Sequence, residues 1–218
     1  MSFLSSILDL FFPPKCAFCG KVLDNAGDTW CSKCTDSLPF TLLSGRQEGD
    51  YFDFCISPLY YRDIVRKSIL RFKFKGTVAY AEIYGKILAE CIRENSDVEY
   101  DLITWVPLSS KRERSRGYDQ AMLLALATAL QLGDVAVETL KKTRDTNPQS
   151  ALYSKETRNE NISNAYEAVD AELIKGKRVL IIDDIITTGS TLSECAKTLL
   201  EAGAKSIVCA ALARGEHL

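Results

Sequence analysis

The chain has 218 residues, of which 46% are hydrophobic and 26% charged, and its formal net charge is −2. This composition indicates one medium-sized globular domain, or one such domain with a small addition, with enough apolar side chains for a substantial core. The slightly acidic balance gives no general electrostatic reason to expect nucleic acid or an anionic membrane as a partner. A single histidine, at position 217, argues against histidine-based catalysis.

The N-terminal stretch MSFLSSILDLFFPP is apolar, but Asp9 interrupts it and Pro13 and Pro14 end it. It is too short to span a bilayer, and it lacks both a basic leader and a small-residue cleavage site. We expect a short helix that packs on its own protein, with an interfacial or partner-docking helix as the alternative. We therefore expect no membrane span and a cytoplasmic location.

Four of the eight cysteines follow the pattern C-x2-C-x11-C-x2-C: Cys16, Cys19, Cys31 and Cys34. Two such pairs can place four thiolates tetrahedrally around one metal ion and leave no open position, so the site is expected to be structural. Zn²⁺ is the expected ion; an iron site, two disulfides and cysteines without a joint role are the alternatives. The remaining cysteines stand singly among apolar neighbours and are predicted to be small buried hydrophobes: Cys55, Cys91, Cys195 and Cys209.

A mostly polar stretch with two glycines, residues 42–50, predicts a domain boundary. It separates an N-terminal helix and zinc-binding domain, residues 1–48, from a larger domain, residues 49–218. In the larger domain the predicted elements follow one another in this order: an extended aromatic segment (51–61), a mixed apolar and basic segment (64–74), a helix (78–93), a strand (101–108), a helix (117–132), a strand (135–140), an irregular polar segment (147–164), a strand (178–184), a helix (190–202) and a strand (206–213). Strands that alternate with helices predict an α/β fold with a parallel sheet and helices on both faces.

The most informative segment is RVLIIDDIITTGSTL, residues 178–192. Ligands of a parallel α/β sheet bind beyond the carboxyl ends of its strands, where Asp183 and Asp184 are expected. The next loop leads into a helix, whose free N-terminal backbone N–H groups favour an anion. Gly189 would let a phosphate approach closely, and its neighbours offer hydroxyl donors: Thr187, Thr188, Ser190 and Thr191. Phosphate donors beside two carboxylates match a ribose 5-phosphate, which carries one phosphate and a vicinal diol.

Two other phosphate-binding motifs do not fit this segment. A Walker loop requires a lysine after its last glycine, and none follows Gly189. A dinucleotide fingerprint requires three glycines, whereas this segment has one. An ordinary strand-to-helix turn is the structural alternative. The paired aspartates weigh against it, because adjacent like charges cost free energy when no ligand or metal compensates them.

The residues VLIIDDIITTGST (179–191) closely resemble the phosphoribosyl pyrophosphate (PRPP) motif of the type I phosphoribosyltransferases. Three further features resemble the ComF family of competence-associated proteins: the N-terminal four-cysteine knuckle, the stretch from VPL to RGYDQA (106–121) and the segment NPQSALYSKETRNEN (147–161). Asp119 departs from the RGxNQ pattern of that family, in which asparagine is expected. The resemblance implies a zinc knuckle followed by a type I phosphoribosyltransferase-like domain.

The resemblance also implies how the sugar and its 5-phosphate are held. Asp183 and Asp184 would be the catalytic residues and would hold the ribose 2- and 3-hydroxyls. The loop at 185–191 would bind the 5-phosphate through backbone groups and the hydroxyls of Thr187, Thr188, Ser190 and Thr191, with Gly189 among them.

A second and a third loop would handle the pyrophosphate. The turn that ends the predicted strand at 101–108 would meet it through Val106, Pro107 and Leu108. A run of cations follows this turn and would neutralise phosphate, although such a run is more often a solvated face: Lys111, Arg112, Arg114 and Arg116. The polar segment at 147–164 would form a mobile loop that closes over the site, with Arg144 and Arg158 as further contacts.

Two functions are compatible with this resemblance. The first is an enzyme that transfers a phosphoribosyl group from PRPP to an unknown acceptor, with Mg²⁺ and basic residues stabilising the departing pyrophosphate. The second is a non-catalytic PRPP- or nucleotide-sensing module that binds single-stranded DNA or competence partner proteins. Basic residues interleaved with Phe72 and Phe74 would then follow a phosphate backbone: Arg62, Arg66, Lys67, Arg71, Lys73 and Lys75. An amphipathic helix and an edge strand with solvated lysines are the favoured alternative for this strip.

Overall fold

The computed structural model describes residues 13–23, 28–144 and 164–216. The expected N-terminal helix, Arg158 and nearly all of the segment at 147–164 lie outside these residues. The described helices are α1 (Ser32–Thr35), α2 (Asp63–Phe74), α3 (Tyr80–Glu94), α4 (Ser110–Arg116), α5 (Gln120–Leu132), α6 (Ala171–Ile174) and α7 (Ser190–Glu201), with a 3₁₀ turn at Leu42–Gly45. The described strands are β1 (Gln47–Gly49), β2 (Phe52–Ile56), β3 (Leu59–Tyr60), β4 (Leu102–Trp105), β5 (Leu140–Lys142), β6 (Tyr166–Ala168), β7 (Arg178–Ile186) and β8 (Ser206–Arg214).

One six-stranded sheet organises the larger domain. Its strands follow the order β1-β2-β8-β7-β4, and β3 pairs with the far end of β8. Only the β1–β2 pair is antiparallel, while every other described pair of this sheet is parallel. The predicted α/β fold with a mainly parallel sheet is confirmed.

Helices cover both faces of the sheet. Successive side chains of a strand point to opposite faces, and β7 follows this rule. Leu180 and Ile182 belong to the apolar cluster that contains α2, α3 and α5, whereas Val179 and Ile181 belong to the cluster that contains α7. Because both faces are covered, β7 has the continuous apolar sequence of a strand in a parallel sheet. None of the described helices has the length and hydropathy needed to cross a membrane.

The strand predicted at residues 135–140 is largely wrong. Among the described residues this stretch forms one isolated parallel bridge, between Ile103 and Ala136. This stretch lies beside β4, the strand at the edge of the sheet, and the side chain of Val135 is exposed. Strand β5 then begins at Leu140 and pairs antiparallel with β6 in a separate two-stranded sheet. Ala136 and Val137 are half-buried and Thr139 and Leu140 are buried, so this stretch packs along the edge of the main sheet without becoming one of its strands.

The four-cysteine region shares a core with the larger domain. Cys16, Phe18 and Cys34 are buried in the same cluster as residues of α2 and α3. The ring of Phe18 lies 6.1 Å from that of Tyr84, which in turn lies 5.4 Å from that of Phe72. The polar stretch at 42–50 thus separates two regions of the sequence that pack together as one core.

Candidate functional site

The Sγ atoms of the four N-terminal cysteines form a compact cluster, all within 4.8 Å of one another. The separation is 3.6 Å between Cys16 and Cys34 and 3.7 Å between Cys19 and Cys31. A tetrahedral site with metal–sulfur bonds of ~2.3 Å has sulfur–sulfur edges of ~3.8 Å, whereas a disulfide needs ~2.05 Å. All eight cysteines are free. The geometry therefore fits one four-coordinate metal ion and does not fit the disulfide alternative.

The knuckle backbone prepares these thiols for metal binding. Gly20 follows the first pair with φ +77°, which allows the tight turn that returns its N–H to the Cys16 carbonyl at 2.8 Å. Burial raises the pKa of the Cys16 thiol, but hydrogen bonds from backbone N–H groups of the knuckle outweigh this effect and bring the pKa to about 7. Burial instead raises the pKa of the Cys19 and Cys34 thiols, so of these three groups only Cys16 is shifted toward the thiolate, the form that binds metal. The other four cysteines are buried, as predicted.

Strand β7 carries Asp183 and Asp184 to the carboxyl end of the sheet. As neighbours on a strand, the two side chains point to opposite faces. Asp183 lines an open cavity together with the loop that follows β7, whereas Asp184 is 8% exposed and faces α2. The sequence alone suggested that both carboxylates hold one ribose diol. The structure places Asp183 beside the loop that follows β7 and Asp184 beside α2, and the binding of one ribose diol by both carboxylates stays a prediction.

Asp183 lies in an environment that favours its neutral form. Burial raises the pKa of Asp183 to about 8, the adjacent Asp184 carboxylate adds to this rise, and Lys73 opposes it. Oδ1 of Asp183 also accepts a hydrogen bond from the Asp184 backbone N–H at 2.8 Å. Burial and the neighbouring carboxylate therefore shift Asp183 toward its protonated form in the ligand-free protein.

Lys73 of α2 is a site residue that sequence reasoning placed elsewhere, in the basic strip. Its Nζ lies 2.9 Å from Oδ1 and 2.7 Å from Oδ2 of Asp184. The expectation that only a ligand or a metal compensates the paired aspartates is therefore wrong, because the chain supplies a cation of its own. A partner 111 residues away leaves no spacing signal in the sequence.

The loop after β7 forms the small cavity that Asp183 lines, together with Ile185, Ile186 and residues 187–192. The hydroxyls of Thr188 and Ser190 lie 3.0 Å apart. No partner among the described residues accepts a hydrogen bond from the backbone N–H of Thr188 or Gly189. These free donors stand beside the N-terminus of α7, so the loop has the polarity of an anion site.

The structure gives its own reason for glycine at position 189. Gly189 has φ +79°, a left-handed conformation that other residues adopt at a cost in free energy. A Cβ built there would meet Phe52 and Gln47 at 3.6 and 3.7 Å, which is ordinary contact. Glycine is therefore needed for the backbone angle of the loop. The close approach of a phosphate remains a prediction.

The turn after β4 adjoins β7 at the same end of the sheet. The Val106 backbone N–H donates to the Ile182 carbonyl at 3.0 Å, and the Val106–Pro107 bond is trans, as are all described peptide bonds. Asp119 ties this turn to α5. Its Oδ2 accepts from the Leu108 N–H at 2.7 Å and its Oδ1 from the Met122 N–H at 3.1 Å. Both partners are donors, so a carboxylate serves here where the family pattern has asparagine.

Helix α4 turns only part of its basic run toward the site. Lys111 and Arg114 are exposed, whereas Arg112 and Arg116 are half-buried. Nη1 of Arg116 donates to Gln120 Oε1 at 2.5 Å. Burial lowers the pKa of Arg116, and the nearby Asp184 carboxylate opposes that shift. Arg112 and Arg116 are therefore the less exposed cations of α4, and a phosphate contact by any cation of this run or by the exposed Arg144 stays a prediction.

The basic strip at 62–75 does not form one continuous cationic surface. Phe72 is fully buried in the core, so it cannot stack on a base. Arg62 pairs with Glu216, Arg71 donates to knuckle carbonyls, and Lys73 pairs with Asp184. The segment is an amphipathic helix, as the alternative expected, but its lysine at position 73 is not solvated.

Comparison with known protein families matches two parts of the chain. Residues 119–218 match a family described as the phosphoribosyl transferase domain. Residues 7–45 match a family described as the double zinc ribbon domain. The second match and the four-cysteine geometry together support a structural Zn²⁺ at the knuckle.

Among similar proteins, competence protein F of Haemophilus influenzae is 29% identical over 94% of this chain and 98% of its own length. The DNA utilization protein YhgH of Salmonella typhi is 38% identical over 49% of this chain, and the match spans about half of that protein, 46%. Among solved structures, the glutamine PRPP amidotransferase of B. subtilis, complexed with ADP and GMP, is 24% identical with a TM-score of 0.44. That match covers 64% of this chain and 30% of the amidotransferase.

Proposed function

Because the chain belongs to the ComF family of competence proteins, we propose that it binds PRPP at the carboxyl end of β7 and acts as a phosphoribosyltransferase-like protein linked to DNA uptake. The single observation that carries this proposal is the strand–loop–helix at residues 178–201. It presents a carboxyl group, free backbone donors and hydroxyls around one cavity.

In this proposal the chain handles the two ends of PRPP with different groups. The loop at 187–191 binds the 5-phosphate through backbone N–H groups and hydroxyls, and Asp183 holds a ribose hydroxyl beside it. The turn at 106–108 contacts the pyrophosphate, and Arg112 and Arg116 neutralise its charge. The cysteines are the only group of three or more metal-ligating side chains within the described residues. Mg²⁺, which would stabilise the leaving pyrophosphate, would therefore enter together with PRPP.

The chemical step would be substitution at ribose C1, in which the bond to pyrophosphate breaks as the acceptor attacks. Carboxylates near the sugar favour the positive charge that develops on the ring. The protonated Asp183 must lose its proton to contribute in this way, so we expect binding to release a proton from Asp183 at neutral pH. The proposal leaves the acceptor of the phosphoribosyl group unassigned.

The alternative is a PRPP-sensing module that binds single-stranded DNA or competence partner proteins without turnover. The structure of the basic strip on α2 supports this alternative less than the sequence of the strip did. Arg71 and Lys73 bind groups of the protein itself, and Phe72 is buried in the core. A cytoplasmic location belongs with either function and stays a prediction.

Calorimetric titration of the full chain with PRPP, with and without Mg²⁺, tests the proposal. We expect Mg²⁺-dependent binding of PRPP, and weaker binding of ribose 5-phosphate and of pyrophosphate alone. Absence of any PRPP binding would contradict the proposal. A screen of nucleobases and amines for Mg²⁺-dependent release of pyrophosphate then separates the two functions: release with one acceptor supports the transferase, and binding without release supports the sensing module.

A further inference from the structure

Lys73 and Asp184 form a largely buried ion pair at the candidate sugar site. The lysine Nζ contacts both carboxylate oxygens, and the side chains are 17% and 11% exposed. A contact with both oxygens restrains the orientation of the carboxylate. The proposed function assigns no role to this lysine.

The knuckle holds the helix that carries Lys73. The guanidinium of Arg71 donates through Nη2 to the Ala17 carbonyl at 3.0 Å and to the Phe18 carbonyl at 2.5 Å. The Ser68 hydroxyl also donates to the Ala17 carbonyl. These two carbonyls lie between Cys16 and Cys19, inside the first cysteine pair. The position of the last turns of α2 therefore depends on the conformation of the four-cysteine cluster.

The end of α2 is also tied to the proposed pyrophosphate side of the site. The Tyr118 hydroxyl donates to the Phe72 carbonyl, and the guanidinium of Arg116 lies 4.9 Å from the centre of the Phe74 ring. Lys73 thus stands between two contacts that join α2 to the segment from α4 to α5. A shift of α2 would move Lys73 relative to Asp184 and Arg116 together.

We propose that Lys73 is a positioning residue of the sugar site and that the four-cysteine knuckle sets its place through α2. The proposal rests on the proposed function, because PRPP is the ligand whose site Lys73 organises. Lys73 holds the Asp184 carboxylate in one orientation and brings a cation to a site that must accept a highly anionic ligand. The knuckle is then part of the binding site as well as of the core.

Several charged and titratable groups lie around this ion pair and the neighbouring Asp183. Asp183 and Asp184 come from β7, Asp119 from the start of α5, Arg116 from α4 and Lys73 from α2. Tyr166 and Cys195 lie near Asp183 on the face of the sheet opposite to α2. Burial raises the pKa of the Tyr166 hydroxyl and of the Cys195 thiol. The charge of Lys73 lowers the pKa of Asp183, whereas the charges of Asp184 and Asp119 raise it.

Lys73→Met tests the positioning role, with Lys73→Arg as the conservative variant and Lys67→Met as a control on the exposed side of α2. We expect Lys73→Met to weaken binding of PRPP with Mg²⁺ by tenfold or more, Lys73→Arg to restore most of it, and Lys67→Met to leave it unchanged. If Lys73→Met does not fold, Lys73→Gln replaces it. Equal affinity in the parent and in Lys73→Met overturns the inference, whereas a parent that does not bind PRPP overturns the proposed function instead.

A measurement without PRPP keeps the two failures apart. Carbon-13 NMR of the aspartate carboxyl groups in the ligand-free protein follows the titration of Asp183. We expect the midpoint to rise in Lys73→Met and to stay unchanged in Lys67→Met. An unchanged midpoint in both variants contradicts the placement of Lys73 at this site, whatever the protein binds.

Arg71→Met tests the part played by the knuckle, with Arg66→Met as the exposed control. We expect Arg71→Met to retain its zinc, measured by elemental analysis, and to bind PRPP about three- to tenfold more weakly than the Arg66→Met control. If Arg71→Met fails to fold, Ser68→Ala removes the other hydrogen bond to the knuckle and takes its place. A variant that keeps zinc and binds PRPP like the control shows that the knuckle does not position Lys73.

Discussion

The four-cysteine knuckle and the carboxyl end of β7 differ in how far along the chain their functional groups find their partners. The knuckle sulfurs that lie 3.6 and 3.7 Å apart come from cysteines 18 and 12 residues apart, and the four cysteines stand in two copies of one simple motif, C-x2-C. The ion pair at β7 joins residues 111 apart, and the link from β7 to the turn after β4 is made through backbone groups. A site of the first kind is built by a local loop, whereas a site of the second kind exists only in the folded sheet.

This difference predicts different responses to perturbation. The knuckle carries a metal that holds four side chains together, and its aromatic neighbour Phe18 enters the main core. The β7 site rests on a sheet that persists when one of its polar contacts is removed. We therefore expect changes in the knuckle to have large effects on stability. Changes at the β7 end should affect stability less, but they should weaken binding strongly.

Removal of the metal should produce the largest change in stability. A structural Zn²⁺ contributes directly to folding free energy, and loss of the cluster would unpack Phe18 from Tyr84 and release α2. We expect a strong chelator to lower the melting temperature by about 10 °C or more, since ~1 kcal/mol corresponds to ~2–4 °C for a chain of this size. Return of the melting temperature on addition of Zn²⁺ is the control. An unchanged melt after verified metal loss would show that the knuckle is not part of the main core.

Asp119→Ala should have an intermediate effect. The substitution removes the N-cap of α5, which costs ~1 kcal/mol, and leaves the N–H of the half-buried Leu108 without its acceptor, which costs about 1 kcal/mol more. We expect a fall of about 5 °C or more in a thermal melt. Asp119→Asn is the matched control, because its single carbonyl oxygen replaces one of the two acceptors, and it should fall between the parent and Asp119→Ala. A melt of Asp119→Ala equal to that of the parent would remove the link between the turn and α5 from this account.

Asp183→Asn should give the smallest change in stability at acidic pH, and a change that grows as the pH rises. The folded-state pKa of Asp183, about 8, lies above the unfolded value of ~3.9. The protonated carboxyl therefore contributes stability that is fully present below pH ~4 and is lost as the pH rises toward 8. Asparagine has no such loss, so we expect equal melting temperatures near pH 4 and a higher melting temperature for Asp183→Asn than for the parent near pH 9. Asp53→Asn, on an exposed position of β2, is the control. A difference between parent and variant that does not grow with pH would contradict the raised pKa.

Much of the fold could be predicted because its signals are local. The apolar run at 178–182 and the helix-forming stretch after it identify β7 and α7, and the two cysteine pairs identify the knuckle. The strand predicted at 135–140 failed because a short apolar sequence has the same character whether the stretch joins a sheet or only lies along the edge of one. Which strands pair with each other depends on the whole fold, so the sequence of six residues does not determine it.

The candidate site could be located from the sequence but not assembled. The paired aspartates and the loop with Gly189 indicate where a sugar phosphate would bind. Their opposite directions follow from the alternation of side chains along β7, which contains both residues. Lys73 was missed because its helix reaches Asp184 only after α2 packs on both the knuckle and the sheet.

The central claim is that the carboxyl end of β7 binds PRPP, and calorimetry of Asp183→Asn with PRPP and Mg²⁺ tests it most directly. A thermal melt of the same sample shows whether the variant is folded. The account predicts a folded variant that binds PRPP at least tenfold more weakly than the parent, because a hydrogen bond to a carboxylate is about twice as strong as one to a neutral amide. A folded Asp183→Asn that binds PRPP as tightly as the parent would contradict it.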